Sequence, residues 1–214
     1  MPSFQQHRRT LELWSRFPAL ERIERGVALT FDDGPDPDAT PAVLDVLAEA
    51  GAHGVFFLVG EQVEAHPELA RRVADEGHTV ALHGFRHVEH AELGPAIRDD
   101  IERGFDAVRA ATGVAPRLYR PPYGRFSEHS YAAVRELGLT PVYWSAWGTD
   151  WDPVPPERIA DMAIRDLDDG IVLLLHDSAR YASRPSAAPT ADALPAILGE
   201  MKDRGLDAVT VPAG

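Results

Sequence analysis

Short apolar runs alternate with segments of helical periodicity along most of the chain. Continuous or nearly continuous apolar runs predict strands at about 27–31, 54–59, 79–83, 117–120, 140–145, 171–176 and 207–211. Strands that alternate with helices pair in parallel through right-handed crossovers. Seven such units predict a closed or nearly closed α/β barrel, with a doubly wound open sheet as the alternative.

Capping residues mark the ends of the intervening helices. Thr40 is predicted as the N-cap of one helix, before Pro41, and Ser127 and Thr190 are predicted to start two others. Glycines are predicted to end the helices, at Gly51, Gly77, Gly113, Gly138 and Gly205. No interdomain linker stands out, and residues 183–189 read as one surface loop.

The first residues predict an amphipathic helix, with apolar positions at Leu11, Trp14, Phe17 and Leu20. Covering one end of the domain is the favoured role, and a membrane or partner helix is the alternative. The region lacks a continuous apolar stretch and a small-residue cleavage site, so it does not read as a signal peptide. If Met1 is the natural start, we expect a cytoplasmic protein.

Composition excludes several classes of function. The 214 residues contain no cysteine, which removes disulfides, thiolate metal sites and thiol nucleophiles. The formal net charge of −13, without a basic block, argues against nucleic acid or an anionic membrane as a partner. The apolar runs are also too short to span a bilayer. Because cysteine is absent, metal ligands must be His, Asp or Glu. The oligomeric state stays open.

Two adjacent carboxylates, Asp32 and Asp33, stand where the first strand stops. Neighbouring negative charges raise each other's pKa unless a cation balances them, so the pair predicts a positive centre nearby. A plain turn with a helix-capping Asp is the alternative. Further reactive residues follow other strands, and the carboxyl ends of parallel barrel strands are where active sites form. These residues are His83, Arg120, Asp150, Trp151 and His176.

His83 and His87 are four residues apart, which would place both imidazoles on one side of a helical turn. With one carboxylate from Asp32 or Asp33 they would form a two-His, one-carboxylate site for Zn²⁺ or another divalent ion. The second carboxylate would then be free to act as a general base.

In order along the chain, these motifs resemble those of the polysaccharide deacetylase family, the NodB-homology, carbohydrate esterase type. The resemblance spans about residues 26–212 and rests on Thr30–Pro35, His83 with His87, Arg120–Tyr123 and Leu174–His176. It implies a distorted (β/α)7-8 barrel, with an N-terminal helical extension over 1–25 and a catalytic domain over 26–214. It further implies hydrolysis of N-acetyl or O-acetyl groups on a sugar, an oligosaccharide or a polysaccharide.

The resemblance also implies a cofactor and a set of roles. One divalent ion, Zn²⁺ before Co²⁺, Ni²⁺ or Mn²⁺, would be held by Asp33, His83 and His87. The remaining roles are Asp32 as base with Arg120 as its partner, His176 as acid oriented by Asp150, the Tyr123 backbone as oxyanion donor, and Pro122, Trp147, Trp151 and Leu174 as substrate-binding residues.

Two positions depart from the family pattern. Gly84 replaces the Ser or Thr that usually follows the first metal histidine, and Trp147 replaces the first Asp of an Asp-x-x-Asp-Trp motif. Trp147 is either a sugar-stacking platform or part of the core, and Trp144, Trp147 and Trp151 together would line a carbohydrate cleft. Three functions stay open: a sugar deacetylase, a hydrolase of a cyclic or small-molecule amide, and a catalytically silent carbohydrate-binding protein.

Overall fold

The computed structural model describes residues 12–214. The helices are α1 (Glu12–Arg16), α2 (Thr40–Ala50), α3 (Gly60–Ala65), α4 (Pro67–Asp75), α5 (His90–Leu93), α6 (Ile97–Thr112), α7 (Glu128–Glu136), α8 (Pro156–Arg165) and α9 (Ala188–Asp203). The strands are β1 (Val27–Asp32), β2 (Gly54–Leu58), β3 (Thr79–Leu82), β4 (Leu118–Tyr119), β5 (Thr140–Pro141), β6 (Ala146–Trp147) and β7 (Ile171–His176). Within residues 12–214, no helix has the length and apolar character needed to cross a membrane.

The strands form one parallel sheet in the order β5-β4-β3-β2-β1-β7-β6. Read around a circle, this order follows the chain without a reversal, which is the arrangement of a barrel rather than of a doubly wound sheet. The predicted barrel is therefore confirmed as a curled half-barrel whose ends are β5 and β6. The register places Asp32 beside His176, at the carboxyl ends of β1 and β7.

The central strands are fully buried because helices cover the outside of the sheet. Each residue of β1 and β2 is buried, and this explains why these strands read as continuous apolar runs in the sequence. Phe31 and Phe56 stack between neighbouring strands, with their ring centroids 5.0 Å apart. This rigid centre fixes the positions from which the loops at the carboxyl ends project.

The chain before β1 packs on the open side of the half-barrel. Leu20 donates its N–H to the Pro141 carbonyl and accepts a hydrogen bond from the Tyr143 N–H, both at 2.8–2.9 Å. Trp14 stacks on Tyr143 at a centroid distance of 4.1 Å, and its indole N–H donates to the Gly124 carbonyl. Trp14 and Phe17 are thus buried as the amphipathic pattern predicts, whereas Leu11 lies outside the described residues. The boundary at residue 25 stays a prediction.

Three strand predictions are wrong in part. The run at 140–145 is a strand only in β5, because the chain leaves this edge strand after Pro141 and rejoins the sheet beside β7 as β6, beyond the predicted run. The expected strand at 207–211 forms only an isolated bridge between Ala208 and Val27. The predicted strand at 117–120 shortens to β4.

Two predicted helix starts are also displaced, because each threonine hydroxyl has a tertiary partner. The N-cap of α2 is Ala39, and Thr40 donates its hydroxyl to Asp177 Oδ2 at 2.6 Å. Helix α9 begins at Ala188, two residues before Thr190. Ser127 caps α7 as predicted, with a complete capping box. Gly51, Gly77, Gly113, Gly138 and Gly205 all follow helix ends with positive φ.

Candidate active site

Three side chains from two loops converge at the carboxyl end of the sheet, Asp33 from the loop after β1 and His83 and His87 from the loop after β3. Asp33 Oδ1 lies 3.2 Å from His87 Nε2 and 3.5 Å from His83 Nε2. One ligand atom from each residue falls within 4.8 Å of the others. Asp33 reaches this position with φ of 81°, an uncommon value for a residue with a side chain.

The electrostatics of this cluster fit a bound cation. Asp33 Oδ1 is buried and has no hydrogen-bond partner among the described residues. Burial would raise the pKa of Asp33, but the neighbouring imidazoles of His83, His176 and His87 outweigh it and lower that pKa to about 2. Burial lowers the pKa of His87 to about 4, so its imidazole is neutral and able to act as a ligand. Asp33, His83 and His87 therefore could hold a divalent ion.

The two histidines are oriented by different contacts. His83 Nδ1 lies 2.8 Å from the backbone carbonyl of Arg120. Because a carbonyl only accepts, Nδ1 carries the proton and Nε2 faces Asp33. His87 Nδ1 is buried without a partner in the described structure, and its ring instead lies flat on Tyr181, with centroids 4.3 Å apart.

The segment from His83 to His87 is a loop, so the prediction of a helical turn is wrong. Gly84 takes φ of 87°, and this turns the chain away from the end of β3. The buried carboxylate of Asp100 then accepts the backbone N–H groups of Phe85 and Arg86, at 3.0 and 3.3 Å. The imidazoles converge because Asp100 shapes this loop.

Asp32 lies beside the three-residue cluster and is bound by an arginine. Arg120 Nη1 donates to Asp32 Oδ1 at 2.6 Å and to the Thr30 hydroxyl at 2.8 Å, and Nη2 donates to the Tyr143 carbonyl at 2.9 Å. Arg120 is completely buried, so its pair with Asp32 is shielded from solvent. Asp32 Oδ2 lies 3.8 Å from His83 Nε2, close to the cluster.

A second carboxylate orients His176. Asp150 Oδ1 lies 2.8 Å from His176 Nδ1, and Asp150 Oδ2 accepts the His176 backbone N–H at 2.8 Å. Burial would lower the pKa of His176, but Asp150 outweighs it and raises that pKa to about 9. The imidazole is therefore protonated at neutral pH and able to donate a proton from Nε2.

The predicted substrate residues fall around this centre, with one exception. Tyr123 is half exposed, has φ of 57° and packs edge-on against His87. Trp151 packs edge-on against His176 and against Trp147. Pro122 and Leu174 are buried beside them. The exception is Trp144, which packs edge-on against Trp14 in the core, so its expected place in a sugar cleft is wrong. Trp147 is also buried in the core, which is the second of its two predicted alternatives.

Residues without a sequence motif complete the site. Thr190 donates its hydroxyl to Asp150 Oδ2 at 2.7 Å, and Arg184 donates to Thr190. Arg184 is buried although it lies within the predicted surface loop at 183–189. Asp177 accepts the Gly34 N–H at 3.1 Å, and a Cβ at Gly34 would lie 2.2 Å from the Asp177 carboxylate, so only glycine fits this turn.

The comparisons with known proteins agree with this geometry. A family model described as polysaccharide deacetylase matches residues 20–142, which contain the metal-ligand candidates, Asp32 and Arg120. A peptidoglycan-N-acetylglucosamine deacetylase of Bacillus cereus is 34% identical over 188 residues, covering 87% of this chain and 67% of the relative. A chitooligosaccharide deacetylase of Bradyrhizobium is 39% identical over 155 residues, covering 72% and 71%.

Among solved structures, a family 4 carbohydrate esterase from Streptomyces lividans, in complex with acetate, superposes with a TM-score of 0.80. It is 32% identical, and the match covers 89% of this chain and 95% of that structure. The matches in sequence and in fold agree with the motifs and with the half-barrel. The chain therefore belongs to the polysaccharide deacetylase family.

Proposed function

We propose that this protein is a metal-dependent deacetylase that removes N-acetyl groups from an N-acetylated sugar within an oligosaccharide or a polysaccharide. One observation carries the proposal: Asp33 converges with His83 and His87, while its neighbour Asp32 is bound by Arg120. The two adjacent carboxylates thereby have different roles, Asp33 as a metal ligand and Asp32 as the base. The relatives named above, which act on peptidoglycan or chitooligosaccharides according to their names, support this substrate class.

Asp33, His83 and His87 would hold the ion, and their two nitrogens and one oxygen suit Zn²⁺. When bound, a divalent ion at this place supplies polarisation of the acetyl carbonyl and a more acidic attacking water. The choice among Zn²⁺, Co²⁺, Ni²⁺ and Mn²⁺ is part of the proposal and is tested by metal analysis.

Asp32 accepts the proton of the attacking water as the oxygen forms its bond to the acetyl carbon. Arg120 stabilises the ionised carboxylate and fixes its direction, because the guanidinium donates to Asp32 Oδ1 at 2.6 Å. The Tyr123 backbone N–H, preceded by two prolines, donates to the oxyanion that develops on the carbonyl oxygen.

His176 then gives its Nε2 proton to the amide nitrogen as the carbon–nitrogen bond breaks. Asp150 holds the imidazole by the opposite nitrogen, 2.8 Å away. The products are acetate and a free amine on the sugar. Trp151, which lies beside His176, forms an apolar wall for the acetyl methyl group.

The test is acetate release by the purified chain after loading with Zn²⁺, Co²⁺, Ni²⁺ or Mn²⁺. Substrates are N-acetylglucosamine oligomers, peptidoglycan, acetylated xylan and a panel of small cyclic and linear amides. We expect release from the N-acetylated sugars and one bound ion per chain, and loss of both in Asp33→Ala. Hydrolysis of small amides alone, without acetate release from sugars, would favour the alternative amide hydrolase. Binding of sugars without acetate release would favour a catalytically silent binding protein.

A further inference from the structure

Arg184 is a buried cation in the loop between β7 and α9. Its side chain is 2% exposed, although the neighbouring Ser183 and Pro185 are exposed. Nη2 donates to the backbone carbonyls of His176 and Ser178, at 3.0 and 3.2 Å. A guanidinium loses much hydration when it is buried, so its position requires compensating partners.

The partners of Arg184 lead to the carboxylate behind His176. Nη1 donates to the Thr190 hydroxyl at 2.7 Å, and that hydroxyl donates to Asp150 Oδ2 at 2.7 Å. Nη2 itself lies 3.5 Å from the same oxygen. Asp150 Oδ2 is thus held from one side, which leaves Oδ1 directed at His176 Nδ1.

The surroundings of Arg184 repeat those of Arg120. Both guanidinium groups donate Nη1 to a threonine hydroxyl and Nη2 to a backbone carbonyl, and both approach a buried aspartate. In both, Nε is buried without a partner among the described residues. The structure therefore contains two buried arginine–aspartate units, one beside each proton-transfer residue.

From this arrangement we infer that Arg184 is a positioning residue for the general acid, acting through Thr190 and Asp150 on the orientation of His176. The inference rests on the proposed function, because it assigns a part to Arg184 in the deacetylation that His176 completes. Arg184 also holds the His176 carbonyl, so one side chain fixes both the imidazole's own backbone and the carboxylate behind it. Loss of either restraint would let the ring turn away from the leaving nitrogen.

The test compares an N-acetylated sugar with an activated acetate ester, whose leaving group needs little protonation. In the metal-loaded protein, Arg184→Met should lower kcat on the sugar by about 10- to 100-fold and leave ester hydrolysis within about twofold. Arg184→Lys should give an intermediate loss, because an ammonium cannot reach the Thr190 hydroxyl and the His176 carbonyl in the same fork. Thr190→Val should show the same selectivity if Arg184→Met fails to fold.

A double-mutant cycle separates positioning from general structural support. If Arg184 acts mainly through Asp150, Arg184→Met should add a much smaller loss in an Asp150→Asn background than in wild type. Arg204→Met is the matched control, because Arg204 donates to a backbone carbonyl and a carboxylate at the opposite end of α9. Additive losses in the cycle, or equal losses on sugar and ester, would overturn the inference.

A readout without turnover keeps this inference distinct from the proposed function. The His176 Nδ1 proton should give a downfield NMR signal in the zinc-loaded protein, identified by its loss in His176→Gln. We expect the signal to broaden or vanish in Arg184→Met and to persist in Arg204→Met. An unchanged signal in Arg184→Met would contradict the positioning. If the signal responds as expected but no N-acetylated sugar is cleaved, the substrate class fails and the positioning stands.

Discussion

The two arginine–aspartate units of the active site differ in how their carboxylates are used. Arg120 contacts Asp32 Oδ1 directly at 2.6 Å, and Asp32 Oδ2 remains near the metal-ligand cluster. Both oxygens of Asp150, by contrast, are engaged by His176, and Thr190 stands between Asp150 and Arg184. A carboxylate with one oxygen directed at the reaction can take a proton, whereas a fully engaged carboxylate only orients a neighbour. Two buried aspartates with similar surroundings, Asp32 and Asp150, thus act in different steps of the reaction.

The largest expected effect is on the base side. Asp32→Asn should lower the rate of acetate release by about 10³-fold or more, because it removes the proton acceptor. Metal content should remain at the wild-type level, since Asp33, and not Asp32, is the proposed ligand. Mass spectrometry of the purified variant checks this. If the variant loses the ion, Asp32 and Asp33 have been assigned in reverse.

The next effect concerns stability and compares the two arginines. Arg120→Met should cost about 3–5 kcal/mol of the free energy of unfolding, because it leaves Asp32 buried without its cation. Arg184→Met should cost less, about 1–3 kcal/mol, since Asp150 keeps His176 and Thr190 as partners.

Urea unfolding at pH 7 in the presence of a chelator measures both costs without a contribution from bound metal. Arg204→Met is the control and should lose under about 1 kcal/mol, because its ion pair is exposed. If Arg184→Met lowers the free energy of unfolding by more than Arg120→Met does, the proposed difference between the two arginine–aspartate units is refuted.

A smaller effect is expected in the pH dependence of the acid side. Burial lowers the pKa of His176 and Asp150 raises it by more, to about 9, so kcat/KM for deacetylation should fall as the pH rises through that value. Asp150→Asn should move this alkaline limb to lower pH by about 1–2 units. An alkaline limb that stays in place in Asp150→Asn would show that another group controls it.

The raised pKa of His176 also predicts that the free energy of unfolding changes with pH. Because the folded-state pKa of His176 lies above its ordinary value of about 6.5, the pair with Asp150 stabilises the fold fully below that pH. Its contribution is lost as the pH rises through about 9. Unfolding measured at pH 6 and pH 10 should therefore show a larger decrease in wild type than in Asp150→Asn.

The sequence predicts the surroundings of the proposed base, Asp32, better than those of the proposed acid, His176, for a physical reason. Asp32, Asp33, His83 and His87 stand in short motifs directly after buried strands, and the barrel topology brings strand ends together. Arg184 and Thr190 are single residues in a loop and a helix, and their common partner, Asp150, is distant in the chain. No spacing or periodicity connects them. A lone arginine within a Ser- and Pro-rich segment was the available signal.

The fold shows the same division. The sequence predicts β1 and β7 closely, because these strands are almost entirely buried and helices on their outer side require unbroken apolar sequence. The sequence does not predict the bounds of the edge strands β5 and β6, since a strand of two residues leaves almost no hydrophobic pattern. Trp144 was misplaced because its burial depends on Trp14, far away in the sequence.

The most direct test of the central claim, that base and acid are separate residues with separate arginine units, is a comparison of two substrates in two variants. Rates of Asp32→Asn and His176→Ala are measured on an N-acetylated sugar and on an activated acetate ester, at equal metal content. We expect Asp32→Asn to slow both reactions alike, whereas His176→Ala should slow only the amide, by about 10²-fold or more. Equal losses on both substrates in His176→Ala, or loss of its metal, would contradict it.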